Sequence, residues 1–116
     1  MGNSAFKTEI NQQFARIAKA IASPHRLELV NILAQGERSV EDLSREATLS
    51  VANASQHLQA LREAHLIIAR KDGQRVYYHL ADPDVFRLTQ LIRTLAERQL
   101  AEVGRIVKDY LTERAS

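Results

Sequence analysis

The chain has 116 residues, of which 45% are hydrophobic and 26% charged, the balance of one ordinary globular domain. It contains no cysteine, which excludes disulfides, thiolate metal sites and cysteine-based redox sensing. The formal charge of +2 is too close to balance to indicate a partner by itself. Since no apolar run approaches the roughly 18 residues that cross a bilayer, and no signal-peptide pattern is present, we expect a cytoplasmic protein without membrane contact.

The first predicted helix is amphipathic and covers residues 5–21. Its apolar side chains recur every three or four residues, at Ile10, Phe14, Ile17 and Ile21. Ser23 and Pro24 then supply the N-cap and first-turn residues of a second helix, which is predicted to end near Gly36.

Residues 39–64 carry the pattern of two short helices joined by a tight turn. Ser39 and Asp42 have the spacing of a capping box, so a third helix is expected to follow. The turn at residues 48–50 ends in a serine that can cap a fourth helix over residues 51–64. Two short helices joined in this way suit a helix-turn-helix.

The fourth predicted helix has an apolar side and a side that is polar but uncharged before Arg62. The polar side carries the candidate DNA-contact residues Asn53, Ser55, Gln56, His57 and Gln59. A merely solvated helix face would usually carry Glu and Lys, which have better helix propensity than Asn and Ser. Because Asn and Gln amides can pair bidentately with adenine, the pattern favours base contact over a solvated surface.

Two strand-like runs follow within residues 66–80, joined by Asp72-Gly73, a two-residue hairpin signal. Basic and amide side chains cluster at the predicted tip: Arg70, Lys71, Gln74 and Arg75. Next to a recognition helix, such a tip suits phosphate or minor-groove contact. Taken alone, it is equally an exposed turn with its usual charges.

Asp82 and Pro83 begin the last predicted helix, which covers residues 83–112 and is roughly 45 Å long. Its apolar side chains form two stripes displaced by about one position. A domain this small cannot bury both stripes, so a second copy across a two-fold axis is the simplest partner. The predicted dimer interface combines the first and last helices at Phe14, Ile17, Ile21, Leu88, Leu91, Ile92, Leu95 and Val103.

The order of these elements and three motifs resemble the ArsR/SmtB family of bacterial repressors. The motifs are LSVANASQHLQALREAHLI at residues 49–67, DGQRVYYHL at 72–80 and ASPHRL at 22–27. The resemblance covers nearly the whole chain and implies a single winged helix-turn-helix domain, mostly α with a β-hairpin wing. It further implies a homodimer that places each fourth helix in a major groove of a double-stranded operator. By position, the implied DNA contacts are Ala52, Asn53, Ser55, Gln56, His57, Arg70, Lys71, Gln74 and Arg75.

The chain departs from this family at its inducer sites. Where the arsenic-type site has Cys-Val-Cys-Asp, residues 39–42 read Ser-Val-Glu-Asp. Asp82 and Asp84 match the first ligand pair of the zinc-type site, but Leu95 and Arg98 stand at the second. Such a set does not hold zinc tightly, so no metal or cofactor is predicted and the inducer stays unidentified. Some members continue into a rhodanese domain, and the chain resembles their amino-terminal half.

Other functions remain open at this point. An antirepressor would share every contact residue, and only the genomic position of its site would distinguish it. A protein-interaction module would need exposed apolar anchors on the fourth helix. An enzyme is not expected, because the chain has no phosphate-binding glycine-rich loop, no cysteine nucleophile and no clustered His/Asp/Glu set. The four histidines, at 25, 57, 65 and 79, lack ligand spacing on one helix, and ordinary structural roles are favoured.

Overall fold

The computed structural model describes residues 2–115, which form five helices and a three-stranded sheet. In chain order the elements are α1 (Gly2–Ile21), α2 (Pro24–Leu33), β1 (Arg38–Ser39), α3 (Val40–Glu46), α4 (Val51–Glu63), β2 (Ile67–Asp72), β3 (Arg75–Leu80) and α5 (Pro83–Ala115). The predicted mostly helical winged helix-turn-helix is confirmed. The outer helices are longer than predicted, since α1 begins at residue 2 and α5 continues to residue 115. No helix within residues 2–115 is both long and apolar enough to cross a membrane.

Serine side chains begin three of the helices. The capping serines are Ser23, Ser39 and Ser50. Each hydroxyl accepts the backbone N–H three residues later, at 3.4 Å from Arg26, 3.1 Å from Asp42 and 3.0 Å from Asn53. These bonds satisfy N–H groups that have no partner inside the helix, and each cap stabilises its helix by about 1 kcal/mol. The predicted starts of α2, α3 and α4 are therefore confirmed.

The core lies where α2, α3 and α4 meet. Leu29, Leu43, Leu58 and Leu61 are fully buried there. Between α3 and α4 the chain turns at Thr48, whose φ of 55° is unusual for a β-branched residue. Because one side of α4 is held in the core, its opposite side is presented outward.

A short strand that the sequence did not predict joins the wing to the helix-turn-helix. Arg38 and Ser39 of β1 pair antiparallel with Tyr78 and Tyr77 of β3, so the sheet order is β1-β3-β2. Two residues are too few to show the alternating pattern by which a strand is recognised in a sequence.

The hairpin turn lies one residue later than predicted. β2 continues through Asp72, which pairs with Arg75 of β3, so the two-residue loop is Gly73-Gln74 rather than Asp72-Gly73. Gly73 has a φ of 62°, and Gln74 is not among the positive-φ residues of the described chain. This is the pattern of a type II′ turn, which takes glycine at its first central position.

Ile21 belongs to the subunit core. Only 5% of it is exposed, because the carboxyl end of α1 packs onto α2 and α4. The prediction that Ile21 lines a dimer interface is therefore wrong. Ile17 is half-buried against the same core, whereas Phe14 is 71% exposed.

Candidate nucleic-acid interface

The exposed side of α4 carries the predicted amide and hydroxyl groups. Its exposed polar and small residues are Ala52, Asn53, Ser55, Gln56 and Gln59. At 100° per residue, Gln56 lies nearly opposite the buried Ala54, Leu58 and Leu61. The Gln59 amide donates to the Glu63 carboxylate at 3.2 Å. The Gln56 amide has no hydrogen-bond partner within residues 2–115 and is free to contact a ligand.

His57 faces the protein rather than this exposed side. The Arg26 guanidinium donates from Nε to His57 Nδ1 at 3.2 Å, and the His25 ring centroid lies 5.4 Å away. Burial lowers the pKa of His57, and the positive charges of Arg26 and His25 lower it further. A neutral ring that accepts at Nδ1 carries its proton on Nε2. His57 thus connects α4 to α2, and we leave it out of the proposed base-contact set.

Arg70 is engaged within the subunit. Its guanidinium donates to both carboxylate oxygens of Glu37, at 2.6 and 3.1 Å, and lies 4.9 Å from the centre of the Tyr77 ring. The Arg70 guanidinium lowers the pKa of Glu37, and the carboxylate in turn raises the pKa of Arg70. Arg70 is therefore already paired with a carboxylate of its own subunit, which the sequence alone did not indicate.

Lys71, Gln74 and Arg75 form the exposed tip of the wing. None of these side chains makes an ion pair or a side-chain hydrogen bond within residues 2–115. Two cations and an amide are thus available at the tip of a hairpin that β1 joins to the helix-turn-helix. Unpaired cations at such a position suit phosphate oxygens.

The residues at the family's metal positions do not fit a metal ion. Asp82 accepts the backbone N–H of Asp84 at 2.8 Å, and Asp84 pairs with Arg87, also at 2.8 Å. These carboxylates therefore stabilise the amino-terminal end of α5, where negative charge is favoured. Within the described chain, no three His, Cys, Asp or Glu side chains gather as ligands of one metal ion.

The fold and this exposed helix with its wing define a winged helix-turn-helix protein, and the comparisons agree. Residues 23–69 match the model of the family described as bacterial regulatory protein, arsR family. A solution structure of a homodimeric winged helix-turn-helix DNA-binding domain from Mycobacterium bovis, a possible ArsR-family transcriptional regulator, is 40% identical. It superposes with a TM-score of 0.74, over 81% of this chain and 87% of that one.

Two curated relatives extend this finding. An HTH-type transcriptional regulator of Mycobacterium tuberculosis is 40% identical over 95% of this chain, which spans 49% of that protein's length. A probable mercury resistance operon repressor of Streptomyces lividans is 37% identical over 71% of this chain and 66% of its own length.

The chain belongs to the arsR family of bacterial regulatory proteins. The matched proteins are described as transcriptional regulators, and one of the matched structures as a homodimeric DNA-binding domain.

Proposed function

We propose that the chain acts in the cytoplasm as a homodimeric repressor, which binds a palindromic operator and leaves it when an inducer binds. The observation that carries the proposal is the exposed, uncharged amide side of α4, held outward by a core that buries Leu58 and Leu61 completely. The similarity to a domain described as homodimeric and to a protein named as a repressor supports it.

The dimer follows from apolar surface that one subunit leaves uncovered. The exposed large apolar residues of the outer helices are Phe6, Ile10 and Phe14 of α1, and Leu88, Leu91, Ile92, Leu95, Leu100, Val103, Ile106, Val107, Tyr110 and Leu111 of α5. A stripe of this length on a single subunit is typical of a protein–protein interface. A two-fold axis through it would place the two α4 helices in half-sites about one helical turn apart.

We assign base contacts to the exposed side of α4 and backbone contacts to the wing tip. Asn53, Ser55 and Gln56, with Ala52 and Gln59 beside them, would meet base edges in the major groove. Lys71, Gln74 and Arg75 would meet phosphates or the adjacent minor groove.

A protein-interaction module is disfavoured by the same surface. Val51 is the one large hydrophobic residue of α4 that is exposed, at 48%. A stable protein–protein interface needs a central group of apolar or aromatic side chains, which α4 does not present.

The Gln56→Ala variant tests the proposed base contact. Operator affinity, for a duplex selected from a random library, should fall by about 5- to 150-fold, because a bidentate base contact contributes roughly 1–3 kcal/mol. Affinity for a scrambled duplex should stay unchanged, since non-specific binding depends on phosphates. Fluorescence anisotropy with both duplexes measures the two constants.

Gln35→Ala, which removes an exposed amide outside α4, is the matched control and should bind both duplexes normally. An equal loss on both duplexes for Gln56→Ala would remove Gln56 from base recognition. A reporter gene placed behind the selected operator then separates repression from activation or antirepression, because deletion of a repressor raises expression.

A further inference from the structure

A basic cleft lies between α1, α2 and α4, away from the wing. It has a volume of about 370 Å³, and three of its lining side chains are the cations Arg16, Lys19 and Arg26. Ala60 and Glu63 of α4 also line it, together with Ala64, which caps the carboxyl end of that helix. The size lies at the lower end of the range for small-molecule sites.

The cations of this cleft lack acidic partners. None of the three forms an ion pair within residues 2–115. Arg16 donates to Gln13 Oε1 at 3.0 Å, and Glu63 accepts from the Gln59 amide. Three positive side chains against one carboxylate leave an excess of positive charge, which an anion would offset.

Arg26 connects this cleft to the DNA-facing helix. Its guanidinium donates to the Ala20 carbonyl at 3.3 Å, near the end of α1, and to His57 Nδ1 at 3.2 Å, in α4. One side chain from the start of α2 therefore holds both the amino-terminal helix and the recognition helix. An anion in the cleft would compete with these neutral acceptors, because it adds the Coulomb attraction of an opposite charge, which a neutral imidazole or carbonyl lacks.

We propose that this cleft binds the phosphate or carboxylate group of a small molecule, and that its occupation weakens DNA binding by drawing Arg26 away from His57. The effect on DNA binding rests on the proposed DNA-binding function, whereas the binding of an anion in the cleft does not. The cleft would be the inducer site that the metal-ligand positions of this chain do not supply.

The cleft stays open in the proposed dimer. At 100° per residue, Arg16 lies 160° around α1 from Phe14 and Lys19 lies 140° from it. Phe14 belongs to the apolar stripe that a second copy would cover, so the two cations face another direction.

The first experiment is an NMR titration of the full chain with inorganic phosphate, at constant ionic strength balanced with chloride. Saturable shifts are expected at the backbone amides of Ala20, Arg26, Ala60 and Ala64. Lys19→Gln should weaken phosphate binding at least tenfold. Lys108→Gln makes the same charge change on exposed α5, outside the cleft and about 140° around the helix from Leu95 and Val103, and should bind as the original chain does.

Two results would overturn the site. One is a set of shifts that rises linearly through the millimolar range without saturation. The other is an equal response in Lys19→Gln and Lys108→Gln. Since the titration contains no DNA, its failure is separate from any failure of DNA binding.

The second experiment measures operator affinity in phosphate and in chloride at equal ionic strength. Phosphate should weaken operator binding by the original chain and have less effect on Lys19→Gln. In chloride, Lys19→Gln should retain both the affinity and the salt dependence of the original chain. A salt slope flatter by about one unit would instead make the cleft a contact for DNA phosphate and overturn the proposal.

Discussion

Arg70 and Arg75 both lie on the wing, but their surroundings give them different roles. Arg70 is paired bidentately with Glu37 and lies over Tyr77. Arg75 is exposed, makes no ion pair among the described residues, and affects Asp42 only through weaker electrostatics. A cation contributes to the salt dependence of DNA binding only when it releases counterions from a phosphate. Residue type alone would have made the two equivalent.

Replacing each of these arginines by alanine should separate the two roles. Arg75→Ala should reduce affinity for any duplex and flatten the slope of log K against log salt by about one unit. Arg70→Ala should change that slope much less and should slightly lower the midpoint of thermal unfolding, because Glu37 then keeps only His79 Nδ1, at 3.6 Å. Binding isotherms across a salt series, with melting curves, measure both. An unchanged slope in Arg75→Ala would remove the wing tip from the phosphate contacts.

His57 should give the fold a pH dependence of defined sign. Because burial, Arg26 and His25 lower its pKa in the folded chain, the unfolded chain binds this proton more readily. The stability that comes from keeping His57 neutral is complete above about pH 6.5, the ordinary pKa of histidine. It is lost as the pH falls below that value. His57→Gln keeps an acceptor for Arg26 without titrating, so its unfolding free energy should fall less between pH 7 and pH 5, as denaturant melts would show.

His65→Asn is the control for this measurement. His65 is exposed and has a φ of 61°, which asparagine tolerates. This variant should keep the original pH dependence. If His57→Gln also kept it, another group would be responsible.

At the scale of the elements, two glycines should respond in opposite directions to the same substitution. Gly73 has a φ of 62° in the hairpin loop, while Gly104 lies inside α5. A Cβ added at either position meets nothing within 4 Å, so backbone conformation alone decides the outcome. Gly73→Ala should destabilise the fold by about 1 kcal/mol or more. Gly104→Ala should stabilise it by roughly 0.5–1 kcal/mol.

Chemical denaturation of both alanine variants measures this contrast. If Gly73→Ala left the unfolding free energy unchanged, the wing turn would have relaxed to another turn type. A destabilising Gly104→Ala would place a close helix–helix contact at that point of α5.

At the scale of the whole molecule, the outer helices leave apolar faces uncovered, which supports the proposed second copy. The subunit extends over 66 × 49 × 22 Å, and residues 91–115 of α5 are exposed throughout. Helices α1 and α2 meet, as do α2 and α5, but α1 and α5 make little contact within one chain. Their apolar faces are thus free for a partner.

A charge on the apolar face of α5 should therefore separate the dimer. Leu95 is 56% exposed, so Leu95→Glu should leave the subunit folded while burying a charge in the proposed interface. Sedimentation analysis should show a monomer with reduced operator affinity. Thr94→Glu places the same charge on the neighbouring, exposed side of α5 and should remain dimeric. A Leu95→Glu dimer would refute this interface.

Local patterns in the sequence were enough for most of the fold. The serine caps act on N–H groups three residues away, and the apolar spacing of α4 fixes which side is buried. The amide side of α4 follows from the same spacing, because a helix leaves its remaining side outward. Such information lies within a few residues and can be read without knowing the rest of the chain.

Only the tertiary structure decided which charged and buried groups are available. Arg70 meets Glu37 across 33 residues of sequence, and Arg26 meets His57 across 31. Ile21 shares the periodicity of Phe14 but is buried, and β1 exists only because β3 lies beside it. The spacing of apolar residues indicates which side of a helix is apolar. Which residues that side contacts depends on how distant segments of the chain pack. The sequence therefore determined the helices and their faces, and packing determined which of those side chains remain exposed and without a partner in the subunit.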